Sequence, residues 1–587
     1  MVGQAQIVAL LVALCAPGLG GLMAFWQPWL ALGGAGCAWV ASAVLLQWAL
    51  QGVESSLQLG RWLAVGQLDI GLDLRVDLVA AMLLFGVCSV GLAAQLHAAD
   101  YLGDQRGRTL RLCSLVLAGS TLLLIADNYP LFYAGWALLS AGGHLLAGAD
   151  YGRGGAAVGR TWIALRLGDL ALLAGLVALC AGGQLGWATG EGGAAWIGLC
   201  LLLAVCVRSA QFPFHFWWTG PREEISFAAW ILHGVCAGTA GLYAMLRTQP
   251  IWSADALVVY AALGTGMVTA LCGAISSLAA RDVRPALSYA MVSQLGLALA
   301  VVALDGRGAA LHLVILGMGM GLLFMGITCL ARAAGDDWEL GTVGRLRRLL
   351  PLPYWAVLLG GLTVAGAPPL AGVWSYGVLL APLLSLGGPG LWAGGCVVVF
   401  AVALCAMRLV FMVAAAEEGE KPQAFRTPGG GAQTALIGLG LLALIACALG
   451  YPPGVGYLEV QGGVLRWELL IGPGVSGLVG VLVAWLAFGE QVVAEEHKPG
   501  ALRRFFAEGF YAEEVLQGAL ARPLLALARW VRDLDTFLCE LALIEFGALS
   551  LRGAGWILGR LQSGQVRFYA ALTLLGIVAA LFYLTDI

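Results

Sequence analysis

Charged residues are scarce in this sequence: only 11% of its 587 residues are Asp, Glu, Lys or Arg, while 60% are hydrophobic. A typical soluble domain is about 25% charged, so the composition excludes a soluble protein and indicates a polytopic membrane protein. Basic residues are not in excess either, because the net charge is -3. No nucleic-acid partner is therefore expected.

Several sequence motifs that would indicate cofactor chemistry are also missing. The 14 cysteines are scattered through apolar segments and form no C-x-x-C pair, which favours small buried side chains over a metal site or a disulfide framework. No Walker motif or dinucleotide-binding fingerprint occurs, and the glycine triplet Gly429–Gly431 follows no predicted strand. This chain is therefore expected to hold no cofactor and no metal of its own.

Long apolar runs are the main feature that is present. At about 20 residues per span, they predict an all-α fold of sixteen transmembrane helices. The predicted spans are 5–24, 29–50, 77–97, 109–126, 130–149, 160–181, 195–218, 225–246, 255–278, 285–304, 309–333, 353–384, 391–414, 433–450, 471–489 and 567–585. The twelfth contains Pro368-Pro369 and is predicted to be broken.

The predicted organisation has three parts. Residues 1–490 form a transmembrane bundle of fifteen spans, 491–566 a linker and lateral amphipathic helix, and 567–587 an anchoring span. Loops after odd-numbered spans, up to the thirteenth, carry 14 Lys and Arg, against five after even-numbered spans. The positive-inside rule then places the odd-numbered loops and the linker at the cytoplasmic face, with both termini outside.

The lateral segment alternates charged and apolar residues at helical spacing. A helix from Pro523 to about Leu561 would be roughly 60 Å long at 1.5 Å per residue, and is too charged to span the bilayer. An alternative remains open, in which several short helices break at Gly547, Gly553 and Gly555.

Polar residues crowd into one otherwise apolar stretch, residues 208–233. It contains Arg208, Glu223 and His233, and its two prolines suggest a broken helix. Ionisable groups at membrane depth are costly, so they indicate either part of an ion pathway or a structural hydrogen-bonded knot. In the sixth span, Arg166 and Asp169 lie three residues apart on one helix face, which predicts a structural ion pair.

The same stretch resembles the signature of the antiporter-like subunits of respiratory complex I. The residues in register are Ser209, Ala210, Gln211, Phe212, Pro213, His215, Trp217, Glu223 and His233. Residues 282–296 resemble a second segment of that family. Phe510-Tyr511, Arg522-Pro523 and residues 561–570 resemble the C-terminal part of its largest antiporter-like subunit, so the resemblance covers nearly the whole chain.

The resemblance implies a membrane-arm subunit of a proton-translocating NADH:quinone oxidoreductase in the bacterial inner membrane. NADH, FMN, iron–sulfur clusters and quinone would then belong to partner subunits, and the lateral helix would contact the other membrane-arm subunits. Two other functions remain open: a structural clamp that does not pump, or a module of a cation/proton antiporter or bicarbonate-uptake complex.

The departures from the family pattern fall where that family carries ionisable groups. Its lysine is Arg208 here, and the glutamate that pairs with this lysine is replaced in this chain. The replaced positions are Ala137 for glutamate, Leu316 for histidine, Met320 for lysine, and Tyr376 and Gly377 for lysine and aspartate. Because arginine does not readily lose its proton, the proton route is expected to be degenerate. A route rerouted through His144, His233 or His312 remains open.

Overall fold

The fold is described from a computed structural model of the chain. The described residues are 3–65, 68–101, 106–147, 155–187, 194–219, 227–335, 337–338, 343, 346–415, 425–449, 467–489, 500–562 and 564–585. They divide into two compact units, Met1–Glu513 and Glu514–Ile587. The first unit thus extends beyond the predicted boundary at residue 490, and the three-part organisation stays a prediction.

Helices make up almost all of the first unit. In chain order they are α1 (Gln4–Met23), α2 (Trp29–Leu50), α3 (Leu78–Tyr101), α4 (Arg106–Ile125), α5 (Tyr129–Ala147), α6 (Gly155–Ala181), α7 (Ala195–Arg208), α8 (Phe216–Thr219), α9 (Phe227–Arg247), α10 (Gln249–Trp252), α11 (Ala256–Ala279), α12 (Val283–Val302), α13 (Arg307–Ala333), α14 (Pro351–Val364), α15 (Ala371–Ser385), α16 (Pro389–Ala415), α17 (Gly430–Leu449), α18 (Trp467–Phe488) and α19 (Ala501–Ala507). A 3-10 turn, Gly509–Tyr511, and the start of α20 (Ala512–Leu516) follow.

The second unit is helical along most of its length. A π-helical turn (Gln517–Ala521), α21 (Arg522–Asp535), a second π-helical segment (Thr536–Glu545) and α22 (Phe546–Leu561) precede the last helix, α23 (Val566–Thr585). α22 runs through Gly547, Gly553 and Gly555, so the helix does not break at those glycines. The segment predicted as an amphipathic helix is therefore helical, with π-helical geometry in its middle.

The polytopic all-α membrane fold is confirmed, although the count of sixteen spans is not. Among the described residues, twelve helices are long and apolar enough to cross a membrane, and three shorter apolar helices have 14 or 15 residues. Two of these, α14 and α15, flank Pro368-Pro369, where the broken twelfth span was predicted. Two of the predicted spans without a counterpart among the twelve, 195–218 and 353–384, are divided by such breaks. The other two correspond to α5 and α9, which are continuous helices.

The structure adds one element that the sequence analysis missed, an antiparallel β-hairpin. Strand β1 (Ser55–Val65) pairs with β2 (Leu68–Val76), and Ser55 lies opposite Val76. The signal was present, because from Leu68 to Val76 every second residue is apolar, which is the period of a half-buried strand. The search for long apolar runs overlooks such a short alternating segment.

Close backbone contacts hold the centre of the bundle together. A Cβ atom on Gly266 of α11 would lie 2.5 Å from the backbone nitrogen of Ala300 in α12. One on Gly296 of α12 would lie 2.6 Å from the nitrogen of Ala270. Small residues at both positions therefore let the two helices touch, as is common in membrane bundles.

The glycine triplet at residues 429–431 has a structural role. The Asp100 carboxylate at the end of α3 accepts a 2.6 Å hydrogen bond from the Ala432 backbone nitrogen in the first turn of α17. A Cβ atom on Gly431 would lie 2.6 Å from the Leu96 carbonyl oxygen. The triplet thus lets the start of α17 approach α3 closely enough for an aspartate to satisfy its free N–H groups.

Candidate functional site

The break after α7 positions the first group of candidate residues. α7 ends at Arg208, Ala210 adopts a left-handed conformation with φ 51°, and α8 begins only at Phe216. Side chains satisfy the freed backbone: the Trp217 indole donates to the Val207 carbonyl at 2.8 Å, and the Phe212 N–H donates to the Thr269 hydroxyl at 2.9 Å. Irregular backbone is tolerated within a membrane bundle when the protein supplies such partners.

Arg208 is almost completely buried, with 1% of its surface exposed. Its guanidinium donates to the Ser140 hydroxyl at 2.6 Å and to the Trp136 carbonyl at 3.1 Å, both on α5. The guanidinium carbon also lies 4.8 Å from the centre of the Trp136 ring, within cation–π range. The guanidinium is therefore fixed by a hydroxyl, a carbonyl and an aromatic face.

A carboxylate on α6 completes this arrangement. Asp169 accepts hydrogen bonds from the Trp136 indole at 2.6 Å and from the Ser140 hydroxyl at 3.1 Å, and it forms a 2.6 Å ion pair with Arg166. Ser140 therefore bridges the Arg208 guanidinium and the Asp169 carboxylate. We call Trp136, Ser140, Arg166, Asp169 and Arg208 the arginine centre; its two guanidinium groups and one carboxylate carry a formal charge of +1.

The arginine centre contacts α5 on either side of Ala137, at Trp136 and at Ser140. The family's glutamate would sit on α5, one residue after Trp136 and three before Ser140. In this chain the Asp169 carboxylate on the neighbouring helix α6 reaches Arg208 through Ser140. The spacing along α6 predicts Arg166 as the partner of Asp169 and does not indicate Ser140, although Ser140 shares a helix face with Trp136 at i, i+4 spacing.

Two candidate histidines meet at α5, one turn beyond Ser140. His144 belongs to α5 itself, and His233 of α9 packs against the preceding residue, Gly143. The His233 ring packs directly on Gly143, since a Cβ atom there would overlap its Cε1. The same ring lies 5.5 Å from Trp217 and 5.6 Å from Trp230. His144 follows Gly143, and its ring lies 6.3 Å from that of Trp162 on α6. Another candidate, Glu223, lies outside the described residues.

The segment after α19 packs against His215, which lies in the break between α7 and α8. The Phe510 ring meets the Phe212 ring at 5.8 Å, and a Cβ atom on Gly509 would lie 2.8 Å from His215 Nε2. Only glycine fits here, because Gly509 also has a φ of 61°. Arg503 anchors the segment by donating to the Ala279 carbonyl at 3.2 Å, at the end of α11. In the sequence these residues lie in the predicted linker, 491–566, and no motif there indicates the contact.

His312 lies in a second, electrically neutral centre near the break between α14 and α15. Its ring nitrogens lie 3.0 Å from Gln294 Oε1 and 3.2 Å from Ser375 Oγ, and its ring centre lies 4.9 Å from that of Tyr376. The Tyr376 hydroxyl donates at 2.8 Å to the Val364 carbonyl, at the end of α14. We call His312, Gln294, Ser375 and Tyr376 the histidine centre.

Three of the replaced family positions, Leu316, Met320 and Gly377, lie in apolar surroundings. Leu316 and Met320 on α13 are 4% and 0% exposed and belong to the main apolar core. A Cβ atom on Gly377 would overlap Leu470 Cδ2, so α18 occupies the space that a carboxylate would need. Within the part of the chain that the structure describes, no group of three or more His, Cys, Asp or Glu side chains could hold a metal ion.

Comparison with known proteins gives a consistent match. Residues 126–402 match the family model described as NADH:quinone oxidoreductase/Mrp antiporter, transmembrane region. The chain is 27% identical over 556 residues to "NADH-quinone oxidoreductase subunit L" of Escherichia coli, which covers 90% of this chain and 89% of that protein.

Two solved structures share the fold. A chain of the archaeal membrane-bound sulfane sulfur reductase matches with a TM-score of 0.65 and 20% identity, covering 97% of this chain and 100% of its own. A chain of respiratory complex I from Thermus thermophilus matches with a TM-score of 0.63 and 21% identity, covering 80% and 99%. At 20% and 21% sequence identity, these structural matches establish a shared fold and nothing about function.

Proposed function

We propose that the chain is a member of the NADH:quinone oxidoreductase/Mrp antiporter family, whose model matches residues 126–402, and that it is a membrane-arm subunit of a bacterial proton-translocating NADH:quinone oxidoreductase. Partner subunits would bind NADH, FMN, iron–sulfur clusters and quinone, and would carry the electrons. This chain would couple that electron transfer to events in the membrane. It would lie in the inner membrane with both termini outside, as the distribution of loop charges predicts.

We further propose that its own proton route is degenerate. The observation that carries this proposal is the arginine centre: a buried guanidinium held by Ser140, Trp136 and, through Ser140, Asp169. A proton gate needs a group that gives up and regains its proton, and arginine keeps its proton in proteins. The histidine centre adds no charged group, and Met320 fills the position of the family's second lysine.

The competing mechanism is proton translocation rerouted through histidines. His233 and His144 lie one turn beyond Ser140, and His312 contacts two neutral polar side chains, so each could take part in a relay containing water. The proton-to-electron ratio of the purified complex in sealed vesicles distinguishes the two. A degenerate route predicts the same ratio for the unchanged complex and for one carrying His233→Ala with His312→Ala.

A matched control is His97→Ala, which removes a buried histidine outside both centres that contacts the Met325 carbonyl at 3.2 Å. Complexes with equal subunit content and equal NADH oxidation are compared. A ratio that falls with His233→Ala and His312→Ala, and not with His97→Ala, would show that these histidines carry protons and would overturn the degenerate route.

A structural clamp is the second candidate function, because the second unit leaves large apolar side chains exposed. Leu524, Trp530, Phe537 and Trp556 are each between 49% and 61% exposed. Lipid or partner subunits must cover them. A chain that ends after Glu513 keeps the contact of Gly509 with His215 and lacks the second unit. We expect it to reach the membrane and to lose its partners on purification; normal co-purification of every partner would contradict the clamp.

A further inference from the structure

A groove lies next to the histidine centre, on the side of the bundle formed by α2, α3, α13, α15 and α17. Its volume is about 470 Å³. The walls are almost entirely apolar and include Leu46, Met82, Leu311, Met318, Trp374 and Ile445. All the helices that form it belong to the first unit, and none of its residues belongs to the arginine or histidine centre.

The polar groups of the groove gather at one end. Gln47 and Gln51 lie at the end of α2, four to eight residues before β1, and both are exposed. Amide side chains both donate and accept hydrogen bonds. The rest of the lining offers side chains of leucine, methionine, isoleucine and similar residues, and a cavity of this kind does not hold ordered water. The groove therefore matches a molecule with one neutral polar end and a long apolar body.

The dimensions favour a slender molecule over a helix of a partner protein. A helix is about 10 Å across with a pitch of 5.4 Å, so a single turn occupies roughly 420 Å³. The groove would accommodate about one turn, which is too little for a stable helix contact. A flexible hydrocarbon chain can lie along the groove instead. Bilayer lipid is the most abundant such molecule around the chain, and mass action favours it.

We propose that this groove binds one acyl chain of a membrane phospholipid, with the ester group of the lipid hydrogen-bonded to Gln47 and Gln51. The hydrophobic effect does not distinguish this site from the surrounding bilayer, because the lipid chain is equally apolar in both places. Retention of the lipid depends on van der Waals fit along the groove and on the two amides. This binding is independent of the electron-transfer role proposed above.

The site has a structural consequence for the histidine centre. Leu311 and Trp374 line the groove, and each immediately precedes a residue of the contact between His312 and Ser375. A bound acyl chain would therefore pack behind that contact and keep bilayer and solvent molecules from disturbing it. The lipid would act as a fixed part of the wall around a buried imidazole.

Photocrosslinking in native membranes tests the proposal. The probe is a phosphatidylcholine or phosphatidylethanolamine with a diazirine in the middle of one acyl chain, and labelled peptides are identified by mass spectrometry after the complex is purified. We expect labelling concentrated on α3 and α13 around Met82 and Met318. Ala446→Trp, which places an indole in the groove, should reduce this labelling to the level of lipid-facing helices elsewhere.

Val177→Trp is the matched control, because Val177 is 56% exposed on α6 and lies outside the groove. Leu50→Trp blocks the same groove from α2 and serves if the first variant fails to assemble. Gln47→Leu with Gln51→Leu should weaken labelling while the groove stays open. Even labelling of all exposed helices, labelling unaffected by Ala446→Trp and Leu50→Trp, or recovery of an isoprenoid quinone or a protein segment from the groove would each overturn the proposal.

Discussion

The arginine centre and the histidine centre both lie at helix breaks, yet they treat charge in opposite ways. At the break after α7, the chain keeps a buried cation and supplies its counter-charge from α6. Near the break between α14 and α15, it uses hydroxyl, amide and imidazole groups, and apolar side chains fill the remaining space. A helix break in this bundle can therefore have its backbone groups hydrogen-bonded with or without a buried charge nearby.

The largest contrast should appear when an ionisable group is added to each centre. Met320→Lys puts an ammonium group into a fully buried apolar site on α13, about two turns after His312. We expect a loss of several kcal/mol in stability, since the charge has no partner there. Ala137→Glu adds a carboxylate beside a centre with a formal charge of +1, so we expect little or no loss. Thermal denaturation of the purified complex measures both.

The control for that pair places neutral glutamine at the same two positions. Met320→Gln adds a polar side chain of similar length without an ammonium group and should cost less than Met320→Lys. Ala137→Gln should lack any benefit that Ala137→Glu has from the two guanidinium groups. Equal effects of lysine at 320 and glutamate at 137 would mean that the two centres do not differ in their electrostatics.

The second contrast removes charge from the arginine centre. Asp169→Asn keeps the shape of the side chain and leaves Arg208 and Arg166 without a carboxylate, at an expected cost of about 3–5 kcal/mol. Adding Ala137→Glu should restore much of this loss, because it returns a carboxylate to the α5 face that carries Ser140. Thermal stability and the amount of assembled complex are the readouts. If Asp169→Asn alone is as stable as the unchanged chain, Asp169 is not the counter-charge of Arg208.

The smallest contrast compares two hydroxyl groups. Ser140→Ala removes a bridge between a guanidinium and a carboxylate, and we expect a loss of about 1–3 kcal/mol. Ser375→Ala removes a contact between neutral groups, and we expect about 0.5–1.5 kcal/mol. The melting temperatures of the two variants, measured side by side, give the ordering. A larger effect for Ser375 would contradict the assignment of charge to the arginine centre.

Much of the fold could be predicted from the sequence because hydrophobic length is a strong signal in a membrane. Apolar runs located the helices, and the Pro368-Pro369 pair located a break between α14 and α15. The hairpin of β1 and β2 was missed because its apolar residues alternate instead of forming a run. The count of spans differs from the count of long helices for two reasons: two predicted spans, 195–218 and 353–384, are broken, and the continuous helices α5 and α9 are not among the twelve.

The sequence indicates which residues belong to the site, but it does not indicate which side chains they contact. Arg208, His233 and His312 stand out because polar groups are rare in apolar helices. Which carboxylate serves Arg208 depends on how α5, α6 and α7 pack, and spacing along one helix favoured Arg166 as the sole partner of Asp169. The contact of Gly509 with His215 joins residues almost 300 positions apart, so no local pattern indicates it.

The bridge through Ser140 also has an electrical consequence. Moving one elementary charge across a membrane potential of 100 mV involves about 2.3 kcal/mol. That work is available only to charges that change position along the field. A guanidinium and a carboxylate that share one hydroxyl, inside a packed bundle, stay at a fixed depth. The arginine centre would therefore contribute almost no gating charge, and voltage would not act on this subunit through that centre.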